Sequence, residues 1–312
     1  MSRNLRIVFM GTPEFAVGSL QALLENNLNV VGVITAPDKP AGRGQKIRMS
    51  AVKKFAIDHD LPVLQPTNLK SSSFINDLKA LNSNLQVVVA FRMLPKVVFE
   101  QPEFGCFNLH ASLLPQYRGA APINWAIMKG EKATGVTTFF LKSKIDTGDI
   151  ILQKKVKIDG DETAGSLHDK LMKTGAELVV NTCQLIEAGE PHVQAQQTNK
   201  KELIAAPKIF REDCEINWNQ DTQTVYNFIR GLSPYPAAWT TLNDLNFKIY
   251  QARKEISAHK LAVGEIETDD KTILKFATQD GFIACDVVQL EGKRKMSIAD
   301  FLRGYNLKTS KD

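Results

Sequence analysis

Apolar and polar positions alternate in blocks along the first half of the chain. Leu5–Met10 is a short apolar run that ends in Gly11-Thr12-Pro13, the pattern of a buried strand and its turn. From Glu14 to about Glu25, Phe15, Leu20, Leu23 and Leu24 share one side at helical spacing. Asn29–Thr35 reads as a second strand and Leu61–Leu64 as a third. Leu85–Phe91 is a strongly apolar fourth and Gly105–Leu109 a fifth. Between them, Ala36–Arg48 is a long loop rich in Gly, Pro and bases. Ser50 caps a helix to about Asp58, and Ser71–Leu81 forms another. Strand and helix in alternation predict an α/β fold, a doubly wound, mostly parallel sheet joined by right-handed crossovers.

The pattern then changes. Gly135–Leu141 and Ile150–Ile158 are strand-like runs separated by the polar turn Lys142–Asp149, as an antiparallel pair added to the sheet would be. Thr163–Ala188 predicts a long helix stopped by Gly189, and a polar, Gln-rich stretch follows. After Pro207, helices are expected near Asp221–Gly231 and Ser297–Arg303. The rest breaks into short strands: Ala238–Leu242, Phe247–Ala252, Gly264–Glu267, Thr272–Ala277 and Phe282–Leu290. Short strands at this spacing suggest a small barrel. The expected organisation is a first domain over 1–188, a linker over 189–206 and a smaller β-barrel domain over 207–312.

A length of 312 residues suits two domains, and 43% hydrophobic with 23% charged residues is ordinary globular usage, which excludes disordered, collagen and coiled-coil classes. No apolar run nears the ~20 residues of a membrane span. Nothing at Met1–Phe9 resembles a secretory signal, and the four scattered cysteines make no disulfide framework, so a reducing, cytoplasmic setting is expected. The charge is uneven. Residues 207–312 hold 15 basic and 15 acidic residues out of 39 and 34, so the whole net charge of +5 falls in the first 206. Lys39, Arg43, Lys46, Arg48, Lys53 and Lys54 form a run with no acid, suited to a polyanion or simply to a solvated face.

Familiar cofactor motifs are missing. Pro13 stands where a dinucleotide turn needs its second Gly, and Glu14 would repel a pyrophosphate, so no nicotinamide or flavin is expected. Gly42-Arg43-Gly44-Gln45-Lys46 lacks the spacing of a phosphate loop. The five histidines show no metal-binding spacing, and no metal is expected.

The most informative stretch runs from Phe107 to Pro115. Asn108 and His110 are two apart at the carboxyl end of a strand, so they face one side, where ligands of open α/β sheets bind. An amide donor that cannot titrate would lie beside an imidazole that can. Asp146-Thr147-Gly148-Asp149 lies in a turn. Its aspartate either bonds its own backbone or orients His110, and sequence spacing does not choose between them.

The residues Met10-Gly11-Thr12-Pro13-Glu14-Phe15, Pro40-Ala41-Gly42-Arg43-Gly44, Asn108 through Ile123, Gly135-Val136-Thr137, Asp146 to Ile150 and Ser233-Pro234-Tyr235-Pro236-Ala237-Ala238-Trp239 resemble the methionyl-tRNA formyltransferase family over nearly the whole chain. The Asn-x-His, Ser-Leu-Leu-Pro and Asp-Thr-Gly-Asp pieces are similar to folate-dependent formyltransferases in general. The basic loop and the Pro-aromatic-Pro motif narrow the resemblance to the tRNA enzymes.

The resemblance implies 10-formyltetrahydrofolate as co-substrate and the methionyl amine of initiator tRNA as acceptor, for translation initiation. It implies Asn108, His110 and Asp146 as the catalytic trio and Ser112, Leu113, Leu114 and Pro115 as folate contacts. Arg43, Lys46 and Arg48 become contacts to the tRNA acceptor stem, and the second domain an OB-like barrel that helps hold tRNA. A monomer with no membrane partner is expected. The chain departs from the family pattern at Phe91-Arg92-Met93, where a Tyr-Gly turn is expected, and at Asn124-Trp125. Rival readings are a formyltransferase for amino-sugar nucleotides, a deformylase with water as acceptor, and a non-catalytic tRNA binder.

Overall fold

The computed structural model describes residues 3–41, 46–197, 202–305 and 307. In chain order its elements begin with β1 (Ile7–Gly11), α1 (Glu14–Glu25), β2 (Val30–Ile34), β3 (Lys39–Ala41), β4 (Lys46–Arg48), α2 (Ala51–Asp58), β5 (Val63–Leu64) and α3 (Ser72–Ala80). Next come β6 (Leu85–Val89), α4 (Lys96–Phe99), β7 (Cys106–His110), β8 (Arg118–Gly119), α5 (Pro122–Met128), β9 (Ala133–Phe140), β10 (Ile150–Lys157), α6 (Ala164–Ala188) and β11 (Ala205–Ala206). The last third contains α7 (Thr222–Leu232), β12 (Ala238–Leu242), β13 (Leu245–Ile256), β14 (Ile266–Thr268), β15 (Leu274–Ala277), β16 (Gly281–Leu290), β17 (Met296–Ser297) and α8 (Ile298–Gly304).

Two compact units emerge. The first comprises Met1–Gly119, Thr134–Val156 and His168–Ala205, and the second Ala120–Ala133, Lys157–Leu167 and Ala206–Asp312. The segments carrying α5 and the start of α6 thus group with the C-terminal residues.

The first unit is built on a seven-stranded sheet in the order β10-β9-β7-β6-β1-β2-β5. β1 pairs in parallel with β2 and β6, and β6 with β7. Every residue of β1 and of β6 is buried, as expected where helices cover both faces. The expected reversal occurs at β9, which runs antiparallel to β7 with Phe107 opposite Phe140 and His110 opposite Thr137. β10 returns beside β9, with the Phe140 N–H bonded to the Asp149 carbonyl at 3.0 Å. Ser50 and Ser71 cap α2 and α3 by accepting from Lys53 N and Phe74 N.

The stretch expected as the loop Ala36–Arg48 is paired in part. β3 and β4 form an antiparallel ribbon, with Lys39 opposite Arg48. Pro40 and the glycines hide this pairing from a propensity reading. Its base is tied by the Lys53–Asp38 ion pair and by Gln65, which donates to Asp38 and to the Ala36 carbonyl.

The second unit contains an antiparallel half-barrel sheet in the order β12-β13-β16-β15-β14, with β17 on β16. Its inner face carries Phe247, Ile249, Phe276, Ile283, Cys285 and Val288. Val225 and Ile229 of α7 and Phe301 of α8 close over them. A register shift in β13 between Ile249 and Ala252 bends that long strand, as bulges do in barrels.

Candidate active site

β7 brings the chemistry to its carboxyl end. Cys106, Asn108 and His110 alternate along one face of the strand, while Leu109 points the other way and packs against Gly175 of α6. Asn108 is half-buried, and its amide makes no hydrogen bond among the described residues. His110 is buried at 6% exposure. Its Nε2 lies 2.8 Å from the Tyr117 carbonyl oxygen, which can only accept, so Nε2 carries a hydrogen and Nδ1 is the nitrogen open to chemistry.

Asp146 faces that nitrogen. Its Oδ2 is 3.8 Å from His110 Nδ1 and accepts the Gly119 N–H at 2.9 Å. The separation is too long for a direct hydrogen bond but within ion-pairing range of an imidazolium. Oδ1 has no protein partner among the described residues. The turn between β9 and β10 therefore folds back toward the end of β7, which brings Asp146 beside His110, with Asn108 two residues earlier on the same strand face.

The segment 112–115 supports this site from within. Ser112 is fully buried and its hydroxyl donates to the Gln116 carbonyl at 2.6 Å. Thr137 Oγ1 donates to the Ser112 carbonyl and accepts from Leu114 N, and Gln153 donates to both Thr137 Oγ1 and the Leu114 carbonyl. Leu114 is buried behind a cis bond to Pro115, and Leu113 packs on Gly135.

Two adjoining cavities open in the first unit. One, of about 680 Å³, is lined by Asn68, Arg92, Leu94, Val97 and Ser143 among others. The other, of about 610 Å³, is lined by Cys106, Phe140, Lys142 and Ser143. Both include Phe99 and Ser143, and the second reaches Gly105 and Cys106 at the start of β7; Asn108, His110 and Asp146 line neither. None of Ser112, Leu113, Leu114 or Pro115 lines either. Arg92, the departure from the expected turn, donates to the Pro66 and Thr67 carbonyls and so ties the loop after β6 to the loop after β5.

Sequence reasoning missed Gln196. Its Nε2 donates to the Asp146 and Gly148 carbonyls at 2.9 and 2.8 Å, and its Oε1 accepts from Arg118. Nothing in the polar stretch 189–206 distinguishes this glutamine by composition or period.

Of the expected nucleic-acid residues, Arg43 lies outside the described residues, Lys46 begins β4, and Arg48 ends it, exposed and without an ion pair among the described residues. The second unit has a basic patch that its balanced total charge conceals. On the outer face of the half-barrel, Lys248 stands opposite Trp239 and Gln289. Tyr250 bonds Gln289 Oε1 at 2.7 Å, Gln289 donates to the Lys293 carbonyl, and Lys295 Nζ sits 4.4 Å from the Tyr250 ring centre. Lys293, Arg294 and Lys295 are exposed, and neither they nor Lys248 forms an ion pair among the described residues. The acids Glu265, Glu267, Asp269 and Asp270 collect instead in and beside β14 at the far edge of the sheet.

Among the described residues, no group of three or more His, Cys, Asp or Glu is placed to hold a metal, and no helix is long and apolar enough to cross a membrane.

Residues 5–183 match the family model described as formyl transferase, and residues 208–306 that of the formyl transferase C-terminal domain. The chain is 55% identical over 305 residues to the methionyl-tRNA formyltransferase of Flavobacterium johnsoniae, covering 96% of each. Among solved structures it is similar to the sugar 3N-formyl transferase WlaRD, determined in the presence of dTDP and 5-N-formyl-THF. The TM-score is 0.65 at 23% identity, over 94% of this chain and 100% of that one. It is also similar to a methionyl-tRNA formyltransferase from Clostridium thermocellum, with a TM-score of 0.56 at 18% identity, over 80% of this chain and 94% of that one.

Proposed function

Because the chain belongs to the methionyl-tRNA formyltransferases, we propose that it transfers the formyl group of 10-formyltetrahydrofolate to the amino group of methionyl initiator tRNA, for translation initiation. The observation that carries this reading is the Asp146 carboxylate 3.8 Å from His110 Nδ1 at the end of β7, with Asn108 two residues earlier on the same strand face.

In the proposed reaction the amine nitrogen bonds to the formyl carbon and the C=O electron pair moves onto oxygen. Asn108 donates to that oxyanion, and so does Nδ1 of a protonated His110. Tyr117 occupies Nε2, and Asp146 balances the imidazolium charge. Each such donor is worth roughly 2.7–4 kcal/mol in turnover. Asp146 helps remove the amine proton, directly or through water. When the tetrahedral species collapses, the bond to N10 breaks with its electron pair, and N10 of tetrahydrofolate takes up that proton. No covalent enzyme intermediate is needed. Cys106 is unsuited to forming one, because burial pushes its thiol far above the usual range.

The donor's ring system is assigned to the cavities bounded by Arg92, Leu94, Cys106 and Ser143. Ser112–Pro115 would form the supporting floor, with Leu113 and Pro115 available for contact. Arg43, Lys46 and Arg48 are assigned to the acceptor stem, and the patch Lys248, Lys293, Arg294 and Lys295 to tRNA phosphates. Residues 1–188 would carry the chemistry and 207–312 the remaining tRNA contacts. Four free, buried cysteines suit a cytoplasmic setting.

The test offers labelled 10-formyltetrahydrofolate with methionyl-tRNA, with an amino-sugar nucleotide, or with water alone. Label on the tRNA amine is the expected result. Label only on the sugar, or only released as formate, would overturn the reading.

A further inference from the structure

We propose that Gln196 is a positioning residue for formyl transfer. The inference rests on the reading of Asp146 and His110 given above.

Both donors of the Gln196 amide are used, on the Asp146 and Gly148 carbonyls, and its oxygen is held by the Arg118 guanidinium. Arg118 is followed directly by Gly119, whose N–H holds Asp146 Oδ2. The backbone and the carboxylate of Asp146 are therefore gripped by one closed ring of hydrogen bonds through Gln196, Arg118 and Gly119. Asp146 itself sits in the left-handed region at φ +52°, a turn conformation open to aspartate, and the Gln196 amide holds the carbonyl of that turn. Gly148 cannot carry a side chain there, since a Cβ would lie 1.5 Å from the Phe140 carbonyl oxygen.

The neighbouring residues extend the same arrangement. Gln194 exchanges two backbone bonds with Ile150 at 2.8 and 2.9 Å, immediately after the Asp146 turn. Gln116 binds the Glu202 carbonyl and the Ile204 N–H, and Tyr117 N bonds the Ile204 carbonyl at 2.7 Å. Tyr117 is the residue whose carbonyl holds His110 Nε2. Gln194, Gln196, Glu202 and Ile204 thus fasten both loops that orient the acid and the imidazole, and neither family model covers them. Fixing a reacting group within a fraction of an ångström is where support at a distance acts on rate.

The experiment compares Gln196→Ala and Gln196→Met with wild type, alone and in an Asp146→Asn background. The Met variant keeps the length without the amide. The expected result is a kcat lower by about 10- to 100-fold, with KM for the folate donor and Kd for tRNA unchanged. In the Asp146→Asn background the same change should cost less than about twofold, because the grip then holds nothing that reacts. Unchanged kcat in both single variants, an equal loss in both backgrounds, or a loss confined to KM would overturn the proposal. Wild-type turnover by Asp146→Asn alone would instead overturn the site on which it rests.

Discussion

The Tyr117 carbonyl oxygen lies 2.8 Å from His110 Nε2 and so decides which imidazole nitrogen can react. Tyr117 can aim its carbonyl there because its φ is +58° and its N–H is bound by the Ile204 carbonyl. Sequence alone places a titratable imidazole at His110 without saying which atom acts. The structure leaves Nδ1, beside Asp146.

Asp146→Asn keeps an oxygen for the Gly119 N–H but removes the charge that pairs with an imidazolium. Turnover should fall about 10²–10³-fold with donor affinity nearly intact, and Asn108→Ala should cost a similar factor. Steady-state kinetics alongside equilibrium donor binding checks both. A turnover loss matched by an equal loss of donor affinity would point to binding instead.

The outer-face patch predicts a salt effect. Replacing Lys248, Lys293, Arg294 and Lys295 by Ala should flatten the plot of log affinity for tRNA against log salt, by about 0.7–0.9 for each phosphate no longer neutralised. Arg48→Ala should flatten it by the amount expected for a single phosphate. Retention of the wild-type slope by the fourfold variant would return the patch to bare solvent.

Gln86 offers a gain in stability. It is fully buried in β6, and neither its Nε2 nor its Oε1 finds a partner among the described residues. An unpaired buried amide costs roughly 1–3 kcal/mol, so Gln86→Met, with similar shape and no polar hydrogen, should raise the unfolding free energy by about that amount. Denaturant unfolding at unchanged m-value measures it, and a lower midpoint would show that the amide is satisfied in solution.

Thiol chemistry should be silent in the folded protein. Cys106, Cys183 and Cys285 are buried, and burial raises each pKa, so the thiolate fraction at pH 8 is far below that of a free cysteine. Cys214 is raised by the same cause. A chromogenic disulfide reagent should report close to zero thiols in the native state and four after denaturation. Rapid labelling of native protein would contradict this burial.

Several features are legible in the sequence because they are local. The cap at Ser50 follows from short-range hydrogen bonding, the helices at Ser71 and Asp221 begin where the sequence places them, and the shared face of Asn108 and His110 follows from strand alternation. The partnership of Asp146 with His110 is not local. It depends on a turn folding back over the sheet, and only the family resemblance suggests it. The β3–β4 ribbon is hidden by Pro40 and glycines, α5 by its short length, and Gln196 by a surrounding stretch of equally polar residues. The basic patch in the second unit is hidden because its charges cancel in the total and separate only when β16 and β14 take their places in the sheet.

The bonds from Gln116, Tyr117 and Ile150 to residues 194–204 bear on protein engineering. A chimera that grafts a different acceptor-recognition half onto this chain, cut where the long helix stops at Gly189, would discard the pieces that keep the acid and the imidazole in register. A junction after Ala205 retains them, so the acid and the imidazole should keep their geometry in such a chimera.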